Sequence, residues 1–385
     1  MQRILSITYR EWKRIFSLPV HYWVLVVMPP LLFFFYSFIY YNQKIEDLPF
    51  AVWDEDHSSI SRTLTFMLEQ SASIHIVQSI NSETELKQLI QEGKVMGGVH
   101  FPKRMESDIY SKHPVHVTLY TNTAMLVPAK VIYKDAAQII ITGGSGVILQ
   151  KFVKQGMSKQ KAMALVQPIR MQTYTLYNPD YNYQQYLAPG LITVALQMII
   201  IMVAVLTINY EWKTNTMYEL AVLSNNSASN IIVGKMIAHT TVSWINFVLI
   251  TAVVYPFFNL THAGAMGKFF ILYTLLTLAC LGIGMMLSAI FKDIMLASDM
   301  GLFYTSPAFV FSGYTFPRWA MPWYDQYYAN IMPYTAFLDG YIKAYNMNIS
   351  LGYALPEIIR LCWFIVISFP LAIFFLQRQL KTVTA

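Results

Sequence analysis

Few side chains in this sequence have the types and spacing that catalysis or metal binding needs. Asp54, Asp56 and His57 offer two carboxylates and an imidazole close together. They stand in a polar turn directly before an apolar helical pattern, where aspartate is a favoured cap, so we interpret them as a helix cap. His113 and His116 have no third ligand nearby and are interpreted as surface residues. The sequence therefore predicts no catalytic residues and no metal site.

The sequence also lacks a nucleotide-binding motif. Gly234 and Gly267 each precede a lysine, but neither has the upstream glycine or the following serine or threonine of a phosphate-binding loop. The run 143–146, Gly-Gly-Ser-Gly, does not fit the Gly-x-Ser-x-Gly nucleophile elbow, because Val147 occupies the final position. These glycines lie in a helical pattern and fit either a hinge or a close-packed contact. We expect no ATP and no other cofactor on this chain.

The composition is that of a membrane protein. Of the 385 residues, 55% are hydrophobic and only 12% are charged, whereas soluble domains carry about 25% charged residues. The net charge of +6 includes no long basic run, which argues against nucleic acid as a partner. Cys280 and Cys362 both lie in apolar runs, so the sequence predicts neither a disulfide nor a zinc site.

Six apolar stretches are long enough to cross a bilayer, which takes about 20 residues. Pro29 and Pro30 predict a kink in the first of them. Lysine and arginine near the span ends favour cytoplasmic N- and C-termini, and an even number of spans requires both termini on one side. The sequence therefore predicts an α-helical polytopic protein of the inner (plasma) membrane. The predicted spans are 22–41, 187–209, 236–258, 269–291, 294–313 and 358–376.

Two segments outside the spans have characters of their own. Residues 1–21 interleave basic and apolar side chains, which fits either a helix lying in the cytoplasmic interface or a simple basic anchor for the first span. Residues 43–185 have the composition of a soluble domain, and we expect a mixed α/β extracytoplasmic domain inserted between the first and second spans. Its predicted strands are Phe50–Trp53, Ile74–Ile80, Val95–Val99, Val115–Tyr120 and Met171–Leu176.

Three motifs follow one another around the second span. They are Tyr177–Asp180 (Tyr-Asn-Pro-Asp), Ala188–Leu191 (Ala-Pro-Gly-Leu) and Glu211–Leu220 (Glu-Trp-Lys-Thr-Asn-Thr-Met-Tyr-Glu-Leu). In this order the sequence resembles the type-2 ABC exporter permeases, in particular the drug-efflux-like subset with a large extracytoplasmic domain after the first span. Asn215 and Tyr218 depart from the Gly and Glu of the family pattern, although asparagine tolerates a left-handed turn. Further matches are Gly234-Lys235, Leu281–Ser288, Phe311–Pro317 and Met332–Thr335.

The resemblance implies a permease subunit that moves an apolar or amphipathic substrate, a drug or a lipid-like molecule, out of the cell. ATP and magnesium would bind a separate ABC nucleotide-binding subunit, which would contact a coupling helix at about 211–225. The permease would act as a dimer with a second copy or a paralogue, in contact with membrane lipid, and its outer domain leaves room for a periplasmic adaptor. The residues predicted to bind the partner are Glu211, Lys213, Thr216, Met217, Glu219, Leu220 and Leu223.

The segment at about 313–357 is apolar and interrupted by prolines, which predicts an outer re-entrant segment, and the resemblance implies that it lies near the exit for the substrate. Its aromatic side chains fit either an outer gate or a belt at the lipid headgroups. Asp299 in the fifth span fits a substrate contact or a proton-linked group, but we favour pairing with Lys292 or contact with interfacial water. The residues predicted to line the substrate path or outer gate are Gln197, Asn246, Gly313, Phe316, Pro317 and Pro333.

Two other functional classes compete with an exporter permease. A membrane-tethered sensor would bind a ligand with its outer domain and recruit a signalling partner with its cytoplasmic loop, and it would associate with no ATPase. Separately from these classes, the alternative to a coupling helix at 211–225 is an amphipathic interfacial helix without a partner. An integral-membrane enzyme is the weakest of the three, since the predicted spans carry no cluster of His, Asp and Glu for the chemistry.

Overall fold

The computed structural model describes residues 1–42, 44–111, 113–169, 174–178, 182–260 and 265–383. The chain divides into two compact units. The first consists of Met1–Gln43 together with Leu176–Ala385, and the second of Lys44–Thr175. The second unit falls within the segment 43–185 for which the sequence predicts a separate domain.

The first unit begins with an amphipathic helix, α1 (Gln2–Ser17). Ile7, Glu11 and Ile15 recur every four residues and are buried, because this spacing places them on one face of a helix. A short turn of helix (Pro19–Tyr22) and a π-helical stretch (Trp23–Val27) then lead into α2 (Met28–Ile39).

The π-helical stretch lies just before Pro29 and Pro30. Proline has no N–H and its ring clashes with the carbonyl four residues earlier, and the wider π turn relieves that conflict. The same arrangement recurs at Ile250–Val254, just before Pro256. The sequence predicted a kink at the first pair of prolines, and the structure has a π-helical interruption beside them.

The second unit is a mixed sheet with helices on both faces. The strand order is β2-β1-β3-β4, with β1 parallel to β2 and β3, and β3 antiparallel to β4. Side chains alternate along β1, so that Phe50 and Val52 join one core while Ala51 joins the other. The elements are β1 (Leu48–Asp54), α3 (Ser59–Glu69), β2 (Ile74–Ile80), α4 (Glu83–Gln91), β3 (Gly97–Phe101), α5 (Met105–Tyr110), β4 (Thr118–Thr121), α6 (Leu126–Lys154) and α7 (Lys159–Val166).

Four of the five predicted strands are present at or near their predicted positions. Of the fifth, 171–176, residues 171–173 lie outside the described residues and 174–176 are not in a strand. Asp54 is part of a helix cap, as predicted: its carboxylate accepts hydrogen bonds from the N–H groups of Asp56 and His57, and Ser58 is the N-cap of α3. His113 and His116 are exposed.

The remainder of the first unit is helical. Gly284 on α11 allows a close approach to α8, since a Cβ there would overlap that of Ala204. One turn further on, Ser288 Oγ hydrogen-bonds to Asn209 of α8, so these two helices are locked together within one chain. The helices are α8 (Tyr183–Lys213), α9 (Met217–Ser224), α10 (Ala228–Leu249, continued to Phe257), α11 (Met266–Ile290), α12 (Ile294–Thr305), α13 (Ala308–Phe311), α14 (Trp323–Asn330), α15 (Pro333–Tyr341) and α16 (Leu355–Val383).

Among the described residues, six helices are long and apolar enough to cross a membrane. Five coincide with predicted spans; the first predicted span is represented by the shorter apolar stretch Trp23–Ile39, and the sixth helix is α6. Ala129, Ile132 and Ala136 of α6 are buried, and Ile132 and Ala136 share a core with β1 and α3, so α6 is a helix of the α/β unit. The chain is a mostly helical, multi-pass membrane protein.

Candidate coupling site and polar pocket

The predicted coupling segment consists of a tight turn and a short helix. After α8 ends at Lys213, Asn215 adopts the left-handed conformation with φ +56°. This is the conformation that asparagine was predicted to tolerate in place of the glycine of the family pattern. The N–H of Thr216 donates to the carbonyl of Glu211 (3.0 Å), and α9 begins at the next residue.

One side of α9 packs inward and the other faces away from the unit. Met217 and Leu220 are buried in the main core. The sequence predicted that they lie on an apolar face for a partner. That prediction is wrong, because the apolar face of the helix packs against its own chain. The exposed face instead carries Tyr218 (61% exposed) and Val222 (63%). Of the other predicted contact residues, Lys213 and Glu219 are exposed, and Thr216 and Leu223 are half-buried.

Glu211 is also buried, with a side chain that is 1% exposed, so it does not form the charged rim that was predicted. Its carboxylate accepts two parallel hydrogen bonds from Arg10 (2.8 and 2.9 Å) and one from Arg14 (2.8 Å). Lys235 (2.9 Å) and the hydroxyl of Thr216 (2.5 Å) complete its partners. Five donors on one carboxylate bind the end of α8 to α1, to α10 and to the turn before α9.

A second carboxylate lies beside the first. Glu11 Oε2 accepts from Lys235 Nζ (2.6 Å), and Oε1 lies 3.1 Å from Nε2 of His239. Burial raises the pKa of Glu11, but Lys235, His239 and Arg14 lower it more, so its pKa lies well below the usual range. The guanidinium of Arg14 also lies over the ring of Tyr210. We call this group the ionic cluster: Arg10, Glu11, Arg14, Glu211, Lys235 and His239.

Around the ionic cluster, α1 and α10 are in direct contact. Thr8 Oγ1 donates to the carbonyl of Gly234 (3.0 Å), and Trp12 Nε1 donates to Thr241 (2.9 Å). A Cβ at Gly234 would lie 2.7 Å from Cγ2 of Ile7, so glycine allows the two helices to touch. Helices α1, α8 and α10 and the start of α9 therefore form one cross-linked block.

The sequence motifs named only Glu211 and Lys235 of the ionic cluster. Arg10 and Arg14 belong to residues 1–21, for which the sequence predicts an interfacial helix or a basic anchor, and no motif includes Glu11 or His239. Two signals could have found them: an acid at position 11 on the apolar face of an amphipathic helix, and Lys235 with His239 four residues apart in an apolar helix. Ionisable residues in an apolar environment need partners of opposite charge. The acid at position 11 could therefore have been paired with the two basic residues at 235 and 239.

A polar pocket of about 480 Å³ lies in the predicted re-entrant segment. Gly313 and Pro317 line it together with Arg318, whose Nη2 lies 2.6 Å from the carboxylate of Asp339. Gly313 has φ +91°, and a Cβ on it would lie 2.7 Å from Cγ of Arg318, so glycine leaves room for that side chain. Two of the four gate residues predicted in this segment therefore meet here.

The other predicted path residues do not line this pocket. Phe316 is exposed and Pro333 is buried at the start of α15. Gln197 is fully buried on α8, and neither its amide nitrogen nor its amide oxygen has a partner among the described residues. Asn246 donates to the carbonyl of Leu25 (2.6 Å).

The preferred pairing of Asp299 with Lys292 is not present. Asp299 is exposed and has no ion-pair partner in the described part of the chain. Lys292 instead places its ammonium 4.8 Å from the centre of the Trp212 ring. The predicted pairing is therefore wrong, since the lysine lies against Trp212 of α8, whereas the alternative of contact with interfacial water is compatible with the exposed carboxylate.

Comparison with known proteins matches nearly the whole chain. A family model described as ABC-2 family transporter protein matches residues 21–374. The chain is similar to the probable multidrug ABC transporter permease YbhR of Escherichia coli K12, with 22% identity over 308 residues that cover 80% of each chain. It is also similar to the probable multidrug ABC transporter permease YbhS of the same strain, with 22% identity over 329 residues that cover 83% of this chain and 82% of the relative. Helix α1 lies before the match to the family model.

Proposed function

We propose that this chain, which belongs to the ABC-2 family of transporter proteins, is the permease of an exporter. The proposal starts from the family match and the similarity to ABC transporter permeases, which make the chain a membrane subunit of an ABC transporter. ATP would be hydrolysed on a separate nucleotide-binding subunit, because the sequence has no phosphate-binding loop. The permease would act as a dimer with both termini in the cytoplasm and residues 43–185 outside the membrane.

The observation that carries this proposal is the cross-linked block beneath α9. A partner that binds the exposed face at Tyr218 and Val222 would move α9, and α9 is held to α8, α1 and α10 through the carboxylate of Glu211. Buried charged hydrogen bonds are short and directional, so such a block moves as a unit rather than deforming. Rigid-body motion is a common way for a membrane protein to switch between two states.

The substrate class rests on the likeness to multidrug permeases. We propose an apolar or amphipathic substrate, a drug or a lipid-like molecule, that leaves near the polar pocket around Arg318. The many exposed aromatic side chains of that segment, including Trp319 and Trp323, suit the interface between lipid and water. Gln197, buried on α8 with both amide atoms unpartnered in the described structure, is a candidate for contact along the path.

The proposal is tested by purifying the full chain from native membranes in mild detergent and identifying the proteins that accompany it. We expect a P-loop ATPase to accompany the wild type. Replacing Tyr218→Ala together with Val222→Ala should reduce its recovery at least tenfold, because tenfold corresponds to about 1.4 kcal/mol and loss of a tyrosine that anchors an interface costs about 2 kcal/mol or more. Both side chains face away from the unit, so the fold should survive.

The matched control is Tyr133→Ala with Val77→Ala, which removes an exposed tyrosine and an exposed valine from the α/β unit. It should leave ATPase recovery unchanged. Recovery of no ATPase with any form, under conditions that preserve other complexes, would contradict the exporter and support the membrane-tethered sensor. Equal recovery with both double variants would show that the exposed face of α9 is not the contact.

A further inference from the structure

The α/β unit contains an apolar groove of about 550 Å³. Its floor is formed by Ile60 and Leu64 of α3 and by Met105 of α5, which are all buried in the core of the unit. A pocket of 300–1,000 Å³ lined mainly by apolar side chains is the usual form of a site for a small molecule. We call this pocket the apolar groove.

Helix α6 shapes the groove by lacking side chains at two positions. A Cβ at Gly143 would overlap the side chain of Leu64, so glycine there lets α6 approach α3 closely. Gly144, the next residue, lines the groove and has no atom within 4 Å of the position of its missing Cβ. One glycine is thus a packing contact, and the other leaves open volume in the wall.

The rim of the groove carries a single formal charge. Among the described residues that line it, Lys151 is the one lysine, arginine, aspartate or glutamate. Its ammonium donates to the carbonyl of Tyr110 (2.5 Å) and lies 5.1 Å from the centre of the Tyr110 ring. An ammonium has three donors, so this contact orients the charge and leaves hydrogens for an anion at the mouth.

We propose that the apolar groove binds an amphipathic anion, with its apolar chain on Ile60, Leu64 and Met105 and its anionic group at Lys151. The apolar lining supplies most of the affinity by burying the chain, and the one lysine selects the charge. This assigns a binding site to the α/β unit itself, which the exporter proposal does not require. A free fatty acid and an anionic phospholipid share the chemistry.

The site is tested with the full chain in lipid nanodiscs and a palmitic acid that carries a photoactivatable diazirine in mid-chain. After irradiation, labelled peptides are mapped by mass spectrometry. We expect labelling of peptides containing residues 105–110 and 140–152, in addition to the labelling of membrane spans that any lipid-soluble probe produces. An excess of unlabelled oleate should reduce labelling in the groove at least fivefold.

A variant that fills the apolar groove with a side chain tests whether the probe binds there. Gly144→Leu places a side chain in the open volume and should reduce groove labelling at least fivefold while leaving span labelling unchanged. Gly146→Leu is the matched control, because it lies on the same helix and its missing Cβ also has no neighbour within 4 Å, but it does not line the groove. Both changes replace glycine with leucine in a helix, so they alter helix propensity equally.

The charge is tested separately. Lys151→Gln should reduce labelling by the acid at least threefold and leave labelling by the methyl ester of the same probe unchanged. A phosphatidylglycerol carrying the same diazirine distinguishes the two sources: groove labelling by it identifies a membrane lipid, and labelling by the free acid alone identifies a free amphiphile.

Three results would overturn the site. They are no labelling of groove peptides in the wild type when the spans are labelled, no displacement by oleate, and equal groove labelling in wild type and Gly144→Leu. Each can occur whether or not an ATPase accompanies the chain, so failure of the groove and failure of the exporter proposal are separate outcomes.

Discussion

Replacing Glu211→Gln tests whether the ionic cluster holds α1, α8, α10 and the start of α9 together as one block. The wild-type cluster sets three cations, Arg10, Arg14 and Lys235, against the carboxylates of Glu11 and Glu211. Removing one partner of a buried ion pair costs about 3–5 kcal/mol. We expect the lower end, about 3 kcal/mol, because Lys235 keeps its bond to Glu11 and Arg10, which is 28% exposed, can turn to water.

The assay is thermal unfolding of the purified chain in one detergent. For a unit of this size, a loss of 3 kcal/mol lowers the midpoint by about 6–12 °C. Glu219→Gln is the matched control, since this acid of α9 is exposed, forms no hydrogen bond or ion pair among the described residues, and attracts Arg10 less than Glu211 and Glu11 do, so it should shift the midpoint by less than 2 °C.

A double-mutant cycle with Lys235→Met separates the ion pair from general damage. Residues that share a buried network are coupled by about 0.5–3 kcal/mol, so the double variant should lose less than the sum of the two single variants. The double variant loses less stability than the sum because Lys235→Met removes a charge that Glu211→Gln leaves unpaired. An unfolding midpoint for Glu211→Gln within 2 °C of wild type, or strict additivity in the cycle, would refute the idea that the ionic cluster holds the block together.

Three further outcomes follow from the structure. Gly190→Val should lower the unfolding midpoint, because its side chain would overlap the Tyr314 ring and reduce the free energy of unfolding by about 1–3 kcal/mol. Gly267→Val is its control and should leave the midpoint unchanged, because a Cβ there meets nothing within 4 Å. Gly284→Leu should separate α8 from α11 and destabilise the chain by a similar amount, measured in the same assay. The lowered pKa of Glu11 means that its stabilisation is present above the ordinary carboxyl pKa of about 4.3 and is lost as the pH falls from there toward the lowered pKa, so the stability difference between wild type and Glu11→Gln should shrink below pH 4.

The spans and most of the strands could be predicted because hydrophobic length and periodicity depend on nearby residues. The prediction for Ile74–Ile80 matches the structure residue for residue, whereas the strand predicted at Val95–Val99 lies at Gly97–Phe101. Strand ends depend on pairing with a neighbour, here on the register of β3 with β1, and that register is not visible in a local pattern.

The candidate site could be predicted only in part for the same reason. Asn215 was predictable, since its left-handed turn is a property of one residue. The inward face of α9 was not, because an apolar stripe in sequence does not reveal whether it meets a partner or its own chain. Glu211 and Arg10 are 201 residues apart, so no pattern within one helix could pair them.

The ionic cluster links α1 to α8 and α10 although α1 precedes the family match at residue 21, so in the proposed exporter α1 would move with these helices. An apolar contact between α1 and α10 alone would resist separation but permit sliding, because dispersion and hydrophobic burial are not directional. The bidentate contact from Arg10 to Glu211 fixes angle as well as distance. A force applied at α9 would then reach α1 in a defined direction, and from α1 it would reach the first membrane helix through the π-helical stretch at Trp23–Val27. In the proposed exporter we expect the first span to change its angle at this irregular backbone while the block stays intact.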